Sequence, residues 1–322
     1  MPSVPEAEVR QLDVSVTAIY CKCIKCKCSI LLNAAGEDAG VRICRFNNDR
    51  IGVIEGSGLI DVSDLLDMRP KWPLPPWDWV APQLDTLSKD KWAGRASIAL
   101  SGVRLESPIA NPGKIIGAPI NYKAHIDEAN ADREINQGKT YTSLDEFGLF
   151  LKAGSSLIGP SDSIRPRFKD RRTDHEVELA VVIGKTASRV PREQALSFVL
   201  GYTIGLDITV RGREFPGFRK SPDTFAVLGP WLVTADEIAD PNKLDLSLSV
   251  NGEVRQKSNT SRMIFDVARL IEYASAFYTL YPGDVIMTGT PEGVGPVSPG
   301  DQLVADIDGI GQLNIRVGEM AN

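Results

Sequence analysis

No stretch of this chain approaches the ~18 consecutive uncharged apolar residues that a membrane-crossing helix requires, so no transmembrane segment is expected. Basic residues are not in excess either. The 36 Lys and Arg against 42 Asp and Glu leave a formal charge of −6, which argues against a nucleic-acid surface, where a basic patch is the usual footprint. The first ten residues carry Glu6, Glu8, Arg10 and two prolines, unlike the basic-then-apolar layout of a secretory signal. A cytoplasmic protein is expected. Two familiar catalytic signatures are missing as well. There is no G-x-S-x-G nucleophile elbow, and Gly154-Ser155-Ser156-Leu157-Ile158-Gly159 does not match its spacing. The run from Thr288 to Gly295 is glycine-rich but lacks a GK[ST] ending and a following helix, so it does not read as a phosphate loop. A tight turn presenting hydroxyls and backbone N–H groups fits it better.

What is present suits a soluble globular protein: 322 residues, 43% hydrophobic and 24% charged. That length accommodates one large domain and a smaller one. Cysteine is concentrated oddly, with Cys21, Cys23, Cys26 and Cys28 in eight residues. Clustered thiolates can hold Zn²⁺ or Cu⁺. The spacing is too tight for a zinc finger, however, and no histidine is near, so residues 1–40 read as a disordered or non-native extension. The functional chain is expected to begin near Val41, which N-terminal sequencing of the native protein would test. Residues 41–63 alternate short β-branched runs with turn residues, the pattern of a hairpin. Residues 64–100 read as a short helix and an ordered Trp/Pro linker. Pro108, Pro112 and Gly113 punctuate a boundary, giving a small N-terminal α/β domain at 41–112 and a larger, strand-rich domain at 113–322.

In the larger domain, 175–184 and 201–210 are β-branched and apolar, with a helical segment at 191–199 between them. Residues 244–256 alternate strictly up to Asn251-Gly252, a hairpin turn. Apolar spacing at Ile264, Phe265, Ala268, Leu270, Ile271 and Ala274 predicts a helix over 262–278. Pro-Gly-Asp turns at Pro282 and Pro299 each precede a strand, and residues 311–317 close the sheet. Many strands, few helices and no βαβ alternation point to a mixed, mostly β, α+β architecture.

The chemistry starts with Glu176 and Glu178. Two apart on a strand, they share one face, and two like charges beside the apolar run LAVVIG are costly unless a cation joins them. A hard divalent ion is the simplest solution, with Asp207, inside another apolar strand, as third ligand; a solvated strand edge is the plainer alternative. His175 faces the other way and is not taken as a ligand. His125 and Glu128 stand three apart on a short predicted helix, where a carboxylate can hold an imidazole in the tautomer that takes a proton from water. An incidental loop pair is the alternative. Lys152 and Lys220, each beside an apolar run, suit either oxyanion stabilisation or a snorkelling lysine.

Taken in order, NYKAH with Glu128, then FLK, HEVELAVVIGK, GYTIGLDIT, RKSPDTF…GP, NGEVRQ and GDVIMTGTPEGVGP resemble the fumarylacetoacetate hydrolase family from about Lys114 to Val317. The resemblance implies the family's mixed β-roll, a homodimer, and Mg²⁺ (or Mn²⁺) on Glu176, Glu178 and Asp207. It further implies a water-activating dyad of His125 and Glu128, a catalytic cation in Lys220, and a small acidic 2-oxo substrate touched by Thr290, with Lys152 and Arg211 in the same set. Two departures stand out. Glu214 occupies the place of a substrate-contacting glutamine, and the polar segment between His125 and Phe150, a lid in relatives, is long. The activity implied is hydrolysis of the C–C bond of an acylpyruvate-type 2,4-dioxo acid. Isomerisation, decarboxylation or hydration of a related 2-oxo acid on the same platform remains open, and a catalytically silent metal-binding scaffold is the reading from another class.

Overall fold

The structure is a computed structural model that describes residues 41–321 except Lys71 and Pro73. The expectations for residues 1–40, the cysteine cluster included, lie outside the described residues.

The chain builds a 12-stranded mixed sheet. At its centre Val177–Ile183 pairs antiparallel with Val199–Asp207, which pairs antiparallel with Ala226–Thr234. On the other side of Val177–Ile183 come Val285–Met287, then Ile115–Gly117 in parallel, then Phe150–Lys152. Residues 41–112, expected as a small domain, add five strands to the opposite edge, the short Leu105–Glu106 pairing with Arg42–Phe46. Arg42–Phe46 bonds directly to Ala226–Thr234 and is followed outward by Arg50–Glu55, Gly58–Asp61 and Ser97–Ala99. The hairpin expected at 41–63 is thus a three-strand meander, turning at Asn47 to Asp49 and again at Gly56.

The central strands are buried along their whole length, because both faces of the sheet are covered. Period-2 alternation sorts their side chains. Val177, Leu179, Val181 and Ile183 join a core that holds Leu246, Leu248, Leu303 and Ala305 of a second, five-stranded sheet, and the helix residues Val267, Leu270, Ile271 and Ala274. Ala180 and Val182 face the other way, into a core with Ile43, Val53, Leu84 and Trp92. Glu176 and Glu178 have the parity of this second set.

The second sheet contains the hairpin expected around Asn251-Gly252, both with positive φ as a tight hairpin turn requires. The expected helix at 191–199 is a 3₁₀ segment, Arg192–Phe198. The helix expected over 262–278 is shorter, Val267–Phe277. Two contacts stop it from starting earlier. Asn121 binds the backbone of Phe265 on both sides, accepting from its N–H at 2.7 Å and donating to its carbonyl at 2.8 Å. Asp266 then accepts from Arg269 N at 2.8 Å as an N-cap, leaving Ile264 half exposed. Among the described residues no helix is long and apolar enough to cross a membrane.

Candidate active site

Strand register assembles the acidic centre. Glu178 lies opposite Gly205 and Val177 opposite Leu206, while Asp207 N donates to the Glu176 carbonyl at 2.9 Å. A Cβ on Gly205 would meet Met287 Cε at 2.8 Å and Ala180 Cβ at 3.3 Å, so the position beside Glu178 admits only glycine without repacking. Alternation brings Glu176 and Glu178 to one face and the neighbouring strand brings Asp207 to them. One carboxylate oxygen from each lies within 4.8 Å of the others, and all three residues are buried.

Cations surround two of the three acids. Lys220, just after the short helix Pro216–Arg219, donates to Glu176 at 2.6 Å, Asp207 at 2.7 Å and Thr209 at 2.7 Å. Lys152 binds the other Asp207 oxygen and donates to the Phe225 carbonyl at 2.9 Å. Arg211 links Asp174 at 2.7 Å to Glu176 at 3.1 Å. Burial opposes ionisation of Glu176, but Lys220 and Arg211 outweigh it and hold this carboxyl down at about 2. Burial also works against the Lys220 ammonium, yet Asp207 and Glu176 raise its proton affinity above the ordinary lysine value.

Glu178 is the exception. Its Oε2 accepts from Gly289 N at 2.7 Å, and among the described residues no Lys or Arg lies within ion-pair distance of it. Burial first, then the charge of Asp207, push its carboxyl well above the usual range, with Lys220 opposing. A buried all-oxygen cluster with one uncompensated member fits a hard divalent cation.

His125 sits on helix Lys123–Ala131, its Nδ1 3.0 Å from Glu128 Oε2. The other Glu128 oxygen accepts from Gly293 N at 2.9 Å. His125 is buried, and the 288–295 run ties its partner to the triad, Gly293 N binding Glu128 and Gly289 N binding Glu178. The hydroxyls of the 288–295 run, expected to be presented, are instead buried against the neighbouring strand, Thr288 donating to the Leu179 carbonyl at 3.0 Å and Thr290 to the Val177 carbonyl at 2.8 Å. Glu214 is not brought to the centre. It pairs with Arg171 at 2.8 Å on the surface.

The sequence model of the fumarylacetoacetate (FAA) hydrolase C-terminal family matches residues 114–318, the span that supplies every side chain just described. This chain belongs to that family. Among relatives of this FAA hydrolase chain, a maleylpyruvate hydrolase of Aquipseudomonas alcaligenes is 54% identical over 288 residues, covering 86% of this chain and 99% of that one. A mitochondrial oxaloacetate tautomerase of Rattus norvegicus is 38% identical, covering 68% and 71%. A crystal structure of maleylpyruvate hydrolase from Sphingobium sp. SYK-6 in complex with manganese(II) and pyruvate superposes with a TM-score of 0.74 at 40% identity, covering 87% of this chain and all of that one. That manganese and the acidic triad here together support a divalent metal at the centre.

Four features of this FAA hydrolase site escaped the sequence reading. Gln256 accepts from Val177 N at 3.1 Å, lies 3.0 Å from His175 Nδ1 and donates to Thr290 Oγ1 at 2.8 Å. Its burial was signalled by the exposed charges at 253, 255 and 257, which turn 256 inward. Asp174 is held by Arg172 at 2.6 Å as well as by Arg211. Tyr122 is buried with an unpartnered hydroxyl, and burial together with Glu178 and Glu292 drives its phenol pKa upward. Arg219 is buried next to Lys220.

Proposed function

We propose that this chain hydrolyses the C–C bond of a 2,4-dioxo acid of the acylpyruvate type, with Mg²⁺ (or Mn²⁺) held by Glu176, Glu178 and Asp207. The observation that carries this reading is the His125–Glu128 contact at 3.0 Å beside the acidic triad. A divalent ion on those three carboxylates would supply Lewis-acid stabilisation of charge on the substrate's 2-oxo oxygen.

The chain's own groups do the rest. With Nδ1–H directed at Glu128, His125 Nε2 is left as the acceptor that takes a proton from water attacking the 4-keto carbon. The bond between C3 and C4 then breaks, its electron pair passing into the pyruvate fragment while the acyl part leaves as a carboxylic acid. Lys220 holds positive charge beside the departing fragment, in a buried setting where such a charge acts strongly. Lys152, Arg211 and Thr290 fix the triad and its surroundings, and Glu214, tied to Arg171 at the surface, takes no part.

The names of two of these relatives point to maleylpyruvate, a dicarboxylic 2,4-dioxo acid. The test is pyruvate release from maleylpyruvate and acetylpyruvate with Mg²⁺ and with Mn²⁺, beside CO₂ release and enol–keto exchange of oxaloacetate. Pyruvate from the dioxo acids is the expected result. Activity on oxaloacetate alone would replace hydrolysis with decarboxylation or tautomerisation.

A further inference from the structure

The buried cations near the acidic centre are matched by acids, with one exception. Lys152, Lys220 and Arg211 each have a carboxylate within ion-pair distance. Arg219 has none among the described residues, although it is only 6% exposed. Its Nε donates to the Glu214 carbonyl at 3.0 Å and its Nη1 reaches the Val210 carbonyl at 3.5 Å. Its Nη2 has no partner among the described residues, yet it is not among the sealed-in orphan atoms, so it meets solvent-accessible space. A buried guanidinium with two carbonyls and no anion is costly, and a ligand carboxylate would relieve that cost.

Position says which carboxylate. Arg219 is next in sequence to Lys220, whose Nζ touches Glu176 and Asp207. The segment after the His125 helix reaches the same short helix, since Lys139 Nζ lies 5.7 Å from the ring centroid of Phe215, the residue that precedes Pro216–Arg219. Arg219 therefore lies on a helix that borders both the triad, through Lys220, and that segment, through Phe215. On the proposed function, the substrate's 1-carboxylate and 2-oxo group occupy the triad, and the acyl end extends away from it.

We infer that Arg219 receives the second, distal carboxylate of a dicarboxylic 2,4-dioxo acid and so sets the preference for diacids over simple acylpyruvates. The planar fork of a guanidinium matches a carboxylate through two parallel N–H donors. The competing account is that Arg219 merely braces the turn through Val210 and Glu214, and it foresees no dependence on the far end of the substrate.

The experiment compares kcat/KM for maleylpyruvate with that for acetylpyruvate, which lacks the second carboxylate, in Mn²⁺-loaded wild type and Arg219→Gln. The ratio of the two should fall roughly 10- to 100-fold, mostly through KM for maleylpyruvate. A ratio within about twofold of wild type overturns the inference. Should Arg219→Gln fail to fold, Arg219→Lys, which keeps the charge and loses the fork, should still lower the ratio at least about threefold; no fall overturns it. This inference rests on the proposed hydrolase reading, and calorimetry separates the two. If wild type turns over neither acid, that reading fails, while maleylpyruvate binding at least about tenfold weaker to the variant than to wild type still upholds Arg219. Equal binding refutes it.

Discussion

Around Glu178, charge balance decides when the centre takes up a cation. Its carboxyl is raised by burial and by Asp207, so in the metal-free protein a proton competes with the metal for this side chain. Binding must release that proton, and the sign follows: Mn²⁺ affinity weakens as pH falls through the raised value, approaching about tenfold per pH unit below it. Titration calorimetry in buffers of different ionisation enthalpy should record the released proton. Glu178→Gln should lose more affinity than the ~10–100-fold typical of outer-shell changes and flatten the pH dependence; unchanged binding would remove Glu178 from the ligand set. His125 should behave differently. His125→Ala is expected to lower kcat by roughly 10²–10⁴-fold with Mn²⁺ binding retained, measured together on one preparation. Near-normal turnover would remove the dyad from the reaction.

Helix Val267–Phe277 shows how local capping sets an element's limits. Asp266 is its N-cap and also pairs with Arg192 at 2.6 Å. Asp266→Ala should cost about 1 kcal/mol, visible as a lower urea midpoint at unchanged slope. This helix also marks where sequence reading stops. Leu270, Ile271 and Ala274 of its apolar stripe were legible because period 3.6 is written in the residues themselves, whereas the fully buried Val267 was missed in favour of Ala268, which is only partly buried. Its start was not, because Asn121, far away in the chain, holds Phe265 out of the helix. The site divides in the same way. Glu176 and Glu178 could be paired from alternation alone, and His125 with Glu128 from helical spacing. Asp207 was suspected only as an acid in an apolar strand, since the register that places Glu178 opposite Gly205 is a long-range fact. Gln256 was signalled only by the alternating charges around it, Arg172 and Arg219 carried no local anomaly, and Glu214 was drawn inward by its place in a motif while Arg171 keeps it at the surface.

For the molecule as a whole, removal of residues 1–40 should leave pyruvate release from 2,4-dioxo acids within about twofold of the full chain, because the described sheet starts at Arg42 and every site residue lies beyond it. Loss of activity in that truncation would give the N-terminal cysteines a part in the enzyme. The edge strands formed by residues 42–61 have another consequence. Arg42 and Ile43 are bonded to Val233 and Leu232, on the strand that also pairs Ala226 with Asp207. One strand therefore links the N-terminal edge to an acid of the triad, its ladder shifting register once, between Tyr202 and Ile204. Peeling away the outer strands would uncover the side of the strand that braces Asp207, so melting should proceed as one cooperative event, with calorimetric and van't Hoff enthalpies in agreement.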